Sequence, residues 1–188
     1  MEQEIQKISL NDLTENKVYK LFGLRRVTHL SALDEWLQKE ILVSDQERLV
    51  VKIFQDRLLQ NIDSWNEQEL SLGFIGPILN LINFKIPYRM NFFAQRSISS
   101  TIGEYYLNGK PDSIISSGHF EPEAPFFCFQ EFKKEKETSG DPIGQNLGAM
   151  LIGQNENEGR FPIYGCYVIG RHWFFMVLQG TEYAISKS

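Results

Sequence analysis

At 188 residues, 42% hydrophobic and 13% aromatic, the chain can bury one substantial core and is short for two, so disorder is excluded as the default and a single globular domain is expected. A formal net charge of −5 and a pI near 5.3 exclude a protein that coats nucleic acid through a general basic surface, while leaving room for local basic patches. The opening "MEQEIQKISLNDLTENK" has no apolar centre and no run approaches the ~20 apolar residues of a membrane helix, so neither a signal peptide nor a span is expected, and the cytoplasm is the expected compartment.

The first part of the chain reads as helices. "SALDEWLQKEIL" follows a candidate N-cap at Ser31, and "SDQERLVVKIFQDRLLQNI" opens with Ser44 and Glu47 in capping-box spacing, with Leu49, Val50, Ile53, Phe54 and Leu58 on one apolar face. A third helix, "WNEQELSLGFIGPILNLI", follows Ser64, with Glu67 three residues on, and Pro77 is expected to kink it or end its first regular stretch. Residues 1–63 are therefore expected to form a helical extension packed on a core of residues 64–188.

From about residue 89 the texture changes. "MNFFAQRSIS", "IGEYYL", "DSIIS" and "PFFCFQEFK" are short, aromatic and β-branched, and glycines and prolines separate them, as strands require. In "DPIGQNLGAMLIGQN", Asp141 suits an N-cap and Pro142 the first helical position, so Gly144 and Gly148 fall inside a helix and allow close packing. The closing "FPIYGCYVIGRHWFFMVLQGTEYAIS" returns to strands, with turns at Gly170 and Gly180; ending soon after a strand, the sequence leaves room for a further C-terminal segment. Cys128 and Cys166 sit in apolar runs without metal-type spacing and read as buried reduced thiols.

One constellation carries chemistry. Side chains alternate along a strand, so Glu131 and Lys133 share a face with Phe129. Asp112 lies 19 residues upstream of Glu131 across the turn-like "SGHFEPEAP", so a hairpin would bring it beside them. A strand feeding a solvated loop explains the E-x-K triplet alone; the addition of Asp112 changes the reading. Two carboxylates ~4 Å apart repel by about 4 kcal/mol at an effective dielectric of 20, which raises one pKa or demands a cation between them. A hard divalent metal meets that demand, and a neighbouring lysine can steady charge developing on a phosphorane.

With "PD" at Pro111 and Asp112, "EFK" at Glu131 to Lys133, and the following "DPIGQNLGAML" helix, the sequence resembles the PD-(D/E)XK nuclease superfamily, of the restriction-endonuclease-like fold. The resemblance spans about residues 64–178 and implies an α/β core of helix, three to four mixed strands, helix and strands. It implies Mg²⁺ or Mn²⁺ as cofactor, Asp112 and Glu131 as its ligands, and Lys133 as the catalytic lysine. An acidic residue on the helix before the sheet completes such sites, and Glu69 is preferred over Glu67 because Leu72, Gly73 and Gly76 follow it at helical spacing. Gln145 resembles the accessory polar residue on the helix after the E-x-K strand, with a solvent-facing glutamine as the alternative.

Lys134, Lys136, Arg96 and Lys110 are the candidate phosphate contacts, for which a solvated charged edge is the other account. His119 and His172 read as surface or turn residues, and Phe92, Phe93, Tyr105 and Tyr106 as core before stacking platforms. The closing "PIYGCYVIGRHWFFMVL" also resembles that of a bacterial group to which no substrate attaches. The function expected is metal-dependent hydrolysis of phosphodiester bonds, with DNA as the partner, no membrane, and a homodimer allowed for. The alternatives are an inactive nuclease-like fold serving as an interaction module, and a metal-dependent hydrolase of another substrate.

Overall fold

The computed structural model describes residues 5–87, 89–136 and 139–188. Strand β1 (Gln6–Ser9) leads through a 3-10 turn, Leu10–Asp12, into helix α1 (Glu15–Phe22), followed by β2 (Arg25–Arg26), α2 (Ser31–Gln38) and α3 (Asp45–Asn61). The next helix is segmented: α4 (Glu67–Leu70), a π-helical turn Ser71–Ile75, and α5 (Gly76–Leu79). Then come β3 (Asn91–Ala94), β4 (Ile98–Ile102), β5 (Tyr105–Gly109), β6 (Ser113–Ser117), β7 (Glu123–Lys133), α6 (Pro142–Glu156), β8 (Ile163–Ile169), β9 (His172–Gln179) and β10 (Glu182–Ile185).

The result is a mixed α/β fold with two sheets. The larger has seven strands in the order β2-β10-β9-β8-β7-β6-β3, and the smaller has three in the order β1-β5-β4. Strands β3, β6 and β7 run antiparallel in sequence, and β8 lies parallel to β7. That parallel step needs a crossover, which α6 supplies. The hairpin β4–β5 leaves the large sheet between β3 and β6 and recruits β1 in parallel.

Both faces of the large sheet are covered. On one, Leu147, Met150 and Ile152 of α6 pack with Phe126 and Phe129 of β7, Leu107 of β5, and Leu10, Leu13 and Val18 of the N-terminal segment. On the other, Leu58, Leu70, Phe74 and Leu79 pack on Phe132, Cys166 and Val168. Leu33 of α2 adds a smaller cluster with Val177 and Ala184. This burial on both faces is why β7 reads as an almost continuous apolar run.

The expected helical extension over residues 1–63 needs correction, because it contains strands. β1 pairs with β5 and β2 with β10, so the segment is part of both sheets. The capping box of α3 forms as expected, Glu47 Oε2 accepting from the Ser44 backbone N–H at 2.7 Å and Ser44 Oγ from the Glu47 N–H at 3.2 Å. Ser31, by contrast, is the first residue of α2, whose N-cap, Leu30, makes no side-chain capping bond. Helix α2 stops at Gln38, leaving Ile41 and Leu42 exposed. Pro77 follows the π-turn at the start of α5, where the altered hydrogen-bond ladder tolerates its missing N–H. Among the described residues no helix is long and apolar enough to cross a membrane.

Candidate active site

The site forms where the end of β7 meets the entry to β6. In the β6–β7 register Ser113 faces Gln130, so Asp112, one residue earlier, comes opposite Glu131. Asp112 is anchored there: its Oδ2 accepts from the Phe132 backbone N–H at 2.7 Å. Lys133 Nζ donates to Glu131 Oε1 at 2.9 Å, with side chains only 8% and 12% exposed. The two share the face of Phe129, as strand alternation requires. On that face Phe129 packs in the cluster with α6, while Phe132 points to the opposite layer.

Burial dominates the electrostatics, and like charge adds to it. Loss of solvent, with the Asp112 charge adding to it, pushes the Glu131 carboxyl up to about 7 despite the pull of Lys133. Asp112 is raised first by burial, against the counteracting Phe132 hydrogen bond and Lys133 charge. For Lys133 burial acts downward, but the fields of Glu131, Glu67 and Asp112 outweigh it, so its pKa is raised and it remains an ammonium at neutral pH.

The preferred third acid is corrected. The helix is capped by Asn66, two residues later than Ser64, and Glu69 is its N3 residue: Glu69 Oε2 accepts from the Asn66 N–H at 2.8 Å, and Asn66 Oδ1 from the Glu69 N–H at 2.9 Å. Glu69 is exposed and spent on the cap. Glu67, at the first helical position and half-buried, instead adds to the field at Asp112, Glu131 and Lys133.

Gln145 is not solvent-facing. It is 6% exposed on the first turns of α6, and its Oε1 is buried without a donor among the described residues. Arg96 pairs with Glu121 at 3.1 Å and Lys136 with Asp63 at 2.9 Å, both on the surface. Lys110 is exposed, two residues before Asp112, and Lys134, half-buried, follows Lys133.

Sequence reasoning missed Gln95. It has a left-handed φ of 50°, its N–H donates to the Asp112 carbonyl at 3.1 Å, and its side chain adds a small downward pull on the Asp112 pKa. The available signal was the break in apolar alternation after Ala94, read instead as a strand running on to Ser99.

Among the described residues no group of three or more His, Cys, Asp or Glu side chains is gathered closely enough to hold a metal ion. The pair Asp112 and Glu131 nevertheless has the chemistry a divalent cation suits, since burial raises both carboxyls and the Asp112 charge adds to the rise at Glu131, so an added positive charge would relieve both. The chain matches no protein-family model and no curated protein.

Proposed function

We propose that the protein is a metal-dependent nuclease that hydrolyses phosphodiester bonds, DNA before RNA. The observation that carries this is the meeting of Asp112, Glu131 and Lys133 at one end of β7, two mutually repelling carboxylates beside a buried ammonium. The order of the segmented helix, antiparallel β3, β6 and β7, the crossover helix α6 and parallel β8 supports a restriction-endonuclease-like core of the PD-(D/E)XK type.

In this reading Asp112 and Glu131 would hold Mg²⁺ or Mn²⁺, with Glu67 as the next carboxylate in range. Bound there, the ion supplies charge neutralisation and an acidified water. Lys133 keeps its proton and offers an ammonium to the negative charge that develops on the phosphoryl oxygens. The Phe132 N–H fixes the Asp112 carboxylate, so its orientation does not depend on the substrate. Lys110 and Lys134 lie beside these residues in the chain, and the exposed pairs of Arg96 and Lys136 cost little to exchange for phosphate contacts. A net charge of −5 makes that contact weak and salt-sensitive.

A second reading, an inactive nuclease-like fold acting as an interaction module, is favoured by one feature: the Glu131–Lys133 pair is already closed and nearly dry. Incubation with labelled single- and double-stranded DNA separates the two. The nuclease cuts with Mg²⁺ or Mn²⁺ and stops in EDTA; absence of cutting of either DNA, and of labelled RNA incubated in the same way, supports the module.

A further inference from the structure

The small sheet leaves one face to solvent. Its inner face packs in the core that includes α6, through Ile8, Leu107 and Ile98, and Ser100 there accepts from the Asn155 side chain of α6 at 2.8 Å. Side chains alternate along a strand, so Lys7 of β1, Tyr106 and Asn108 of β5, and Ser99 and Thr101 of β4 share the outer face. In the register Tyr106 stands between Lys7 and Thr101, and Asn108 stands beside Ser99. Tyr106, expected in the core, lies half-buried on this outer face, and Lys7, Ser99, Thr101 and the following Lys110 are exposed.

The charge and chemistry of this face narrow its partner. None of the three strands contains an aspartate or a glutamate, so Lys7 and Lys110 make the face positive in a chain whose net charge is −5. Glu104, in the turn between β4 and β5, lies at the end remote from Lys110. The isoleucines and the leucine of these strands point inward, so an apolar protein surface would gain little by docking here. Ammonium groups, hydroxyls and an amide around one aromatic ring suit phosphates and an unpaired base. The hairpin also leads out of the active site. Strand β4 begins three residues after Gln95, whose N–H donates to the Asp112 carbonyl at 3.1 Å, and β5 ends three residues before Asp112. At that end a hollow of about 240 Å³ is lined by Ser97, Ser99, Tyr106, Asn108 and Lys110 among others.

We propose that, on the nuclease reading, the outer face of the small sheet holds an unpaired strand of the DNA substrate beside the phosphodiester to be cleaved. One base stacks on Tyr106, and phosphates meet Lys7 and Lys110. Stacking on a side chain needs a base freed from its pair, so single strands are preferred to duplex. Binding at this face does not itself depend on the metal or on turnover, which lets the two claims be tested apart.

The probe is a labelled oligothymidylate of about 20 nucleotides, with its oligoadenylate duplex for comparison, both read by fluorescence anisotropy in EDTA at low salt. The single strand is expected to bind more tightly than the duplex. Tyr106→Ala should weaken the single strand about tenfold, the loss of one stacked base, while Tyr106→Phe keeps the affinity. Lys7→Ala combined with Lys110→Ala should lower the slope of log affinity against log salt by about 1.4, as two phosphate contacts on a single strand require. Ser99→Glu and Thr101→Glu, at exposed positions, should each weaken binding by at least about fivefold through like charge, and they carry the test if circular dichroism shows Tyr106→Ala unfolded. No binding by the wild-type protein, unaltered affinity in the variants that fold, an unchanged salt slope, or a preference for duplex would each overturn the proposal. So would poly-glutamate competing as well as the oligonucleotide, the mark of a general polyanion surface. Binding with these sensitivities but no cleavage on adding Mg²⁺ would support the face and remove the nuclease reading. Cleavage with wild-type binding in every variant would do the reverse.

Discussion

Glu131 holds a proton where an ordinary glutamate has lost it. Its carboxyl is raised from an ordinary value of 4.5 to about 7, so between those values the native state binds more protons than the unfolded chain. Stability contributed by this group is fully present below about pH 4.5 and is lost as pH rises through 7. In metal-free buffer, urea unfolding should show a fall on the order of 3 kcal/mol across that window from this residue, and Glu131→Gln should flatten it. A wild-type stability that rises steadily from pH 5 to 7.5, with no change of slope in the variant, would remove the strain assigned to this carboxylate.

The two glutamates at the start of α4 part company by position. Glu67→Gln should weaken Mn²⁺ binding about five- to tenfold in calorimetry while leaving the fold as stable, because it removes a charge from the cluster's field. Glu69→Ala should cost about 1 kcal/mol of stability through the lost cap and spare Mn²⁺ affinity. The reverse pattern would return the role to Glu69. Ser64 with Glu67 was the capping pair expected here, and Asn66 with Glu69, at the same spacing, is the one that forms. Tertiary packing chooses between them, and that choice decides which carboxylate faces the sheet. Asp112, Glu131 and Lys133 were legible because strand alternation and a hairpin fix their faces locally. Gln95 was not, because its contact with Asp112 depends on a left-handed residue at the end of β3.

At the scale of elements, α6 owes its position to glycine. A Cβ on Gly144 would collide with the backbone of Thr14 and stand 2.7 Å from the Leu13 carbonyl oxygen, whereas one on Gly148 would meet side-chain carbons of Leu13 and Leu10. Backbone cannot yield as a side chain can. Gly144→Ala should therefore destabilise by about 2–3 kcal/mol, read as a lower urea midpoint at unchanged slope, and Gly148→Ala by less. Equal midpoints for Gly144→Ala and wild type would show that α6 and the N-terminal segment do not press together. The sequence placed both glycines inside a helix, with an Asp141 cap and Pro142 first, and the structure agrees. It left β1 and β2 unread, four and two residues long, because both become strands only by pairing with β5 from mid-chain and β10 from the far end of the chain. The same non-local pairing draws β4 and β5 away from the large sheet.

At the scale of the whole molecule, the crossover through α6 sets β7 parallel to β8 and buries β7 from both sides. That places the charged end of β7 at a boundary, where Glu131 and Lys133 are nearly dry while Lys110, two residues from Asp112, remains exposed. A dry ammonium opposed by carboxylates acts strongly on charge that develops within its reach, since little water screens it. The measurement that tests this most directly is the single-turnover cleavage rate of labelled DNA at saturating Mg²⁺, compared between wild type and Lys133→Ala, with Mn²⁺ affinity measured on the same preparations. The account predicts a rate reduced by at least a hundredfold with metal affinity kept within a few-fold, because the ammonium stabilises the transition state and does not hold the ion. Cleavage by Lys133→Ala at the wild-type rate would contradict it.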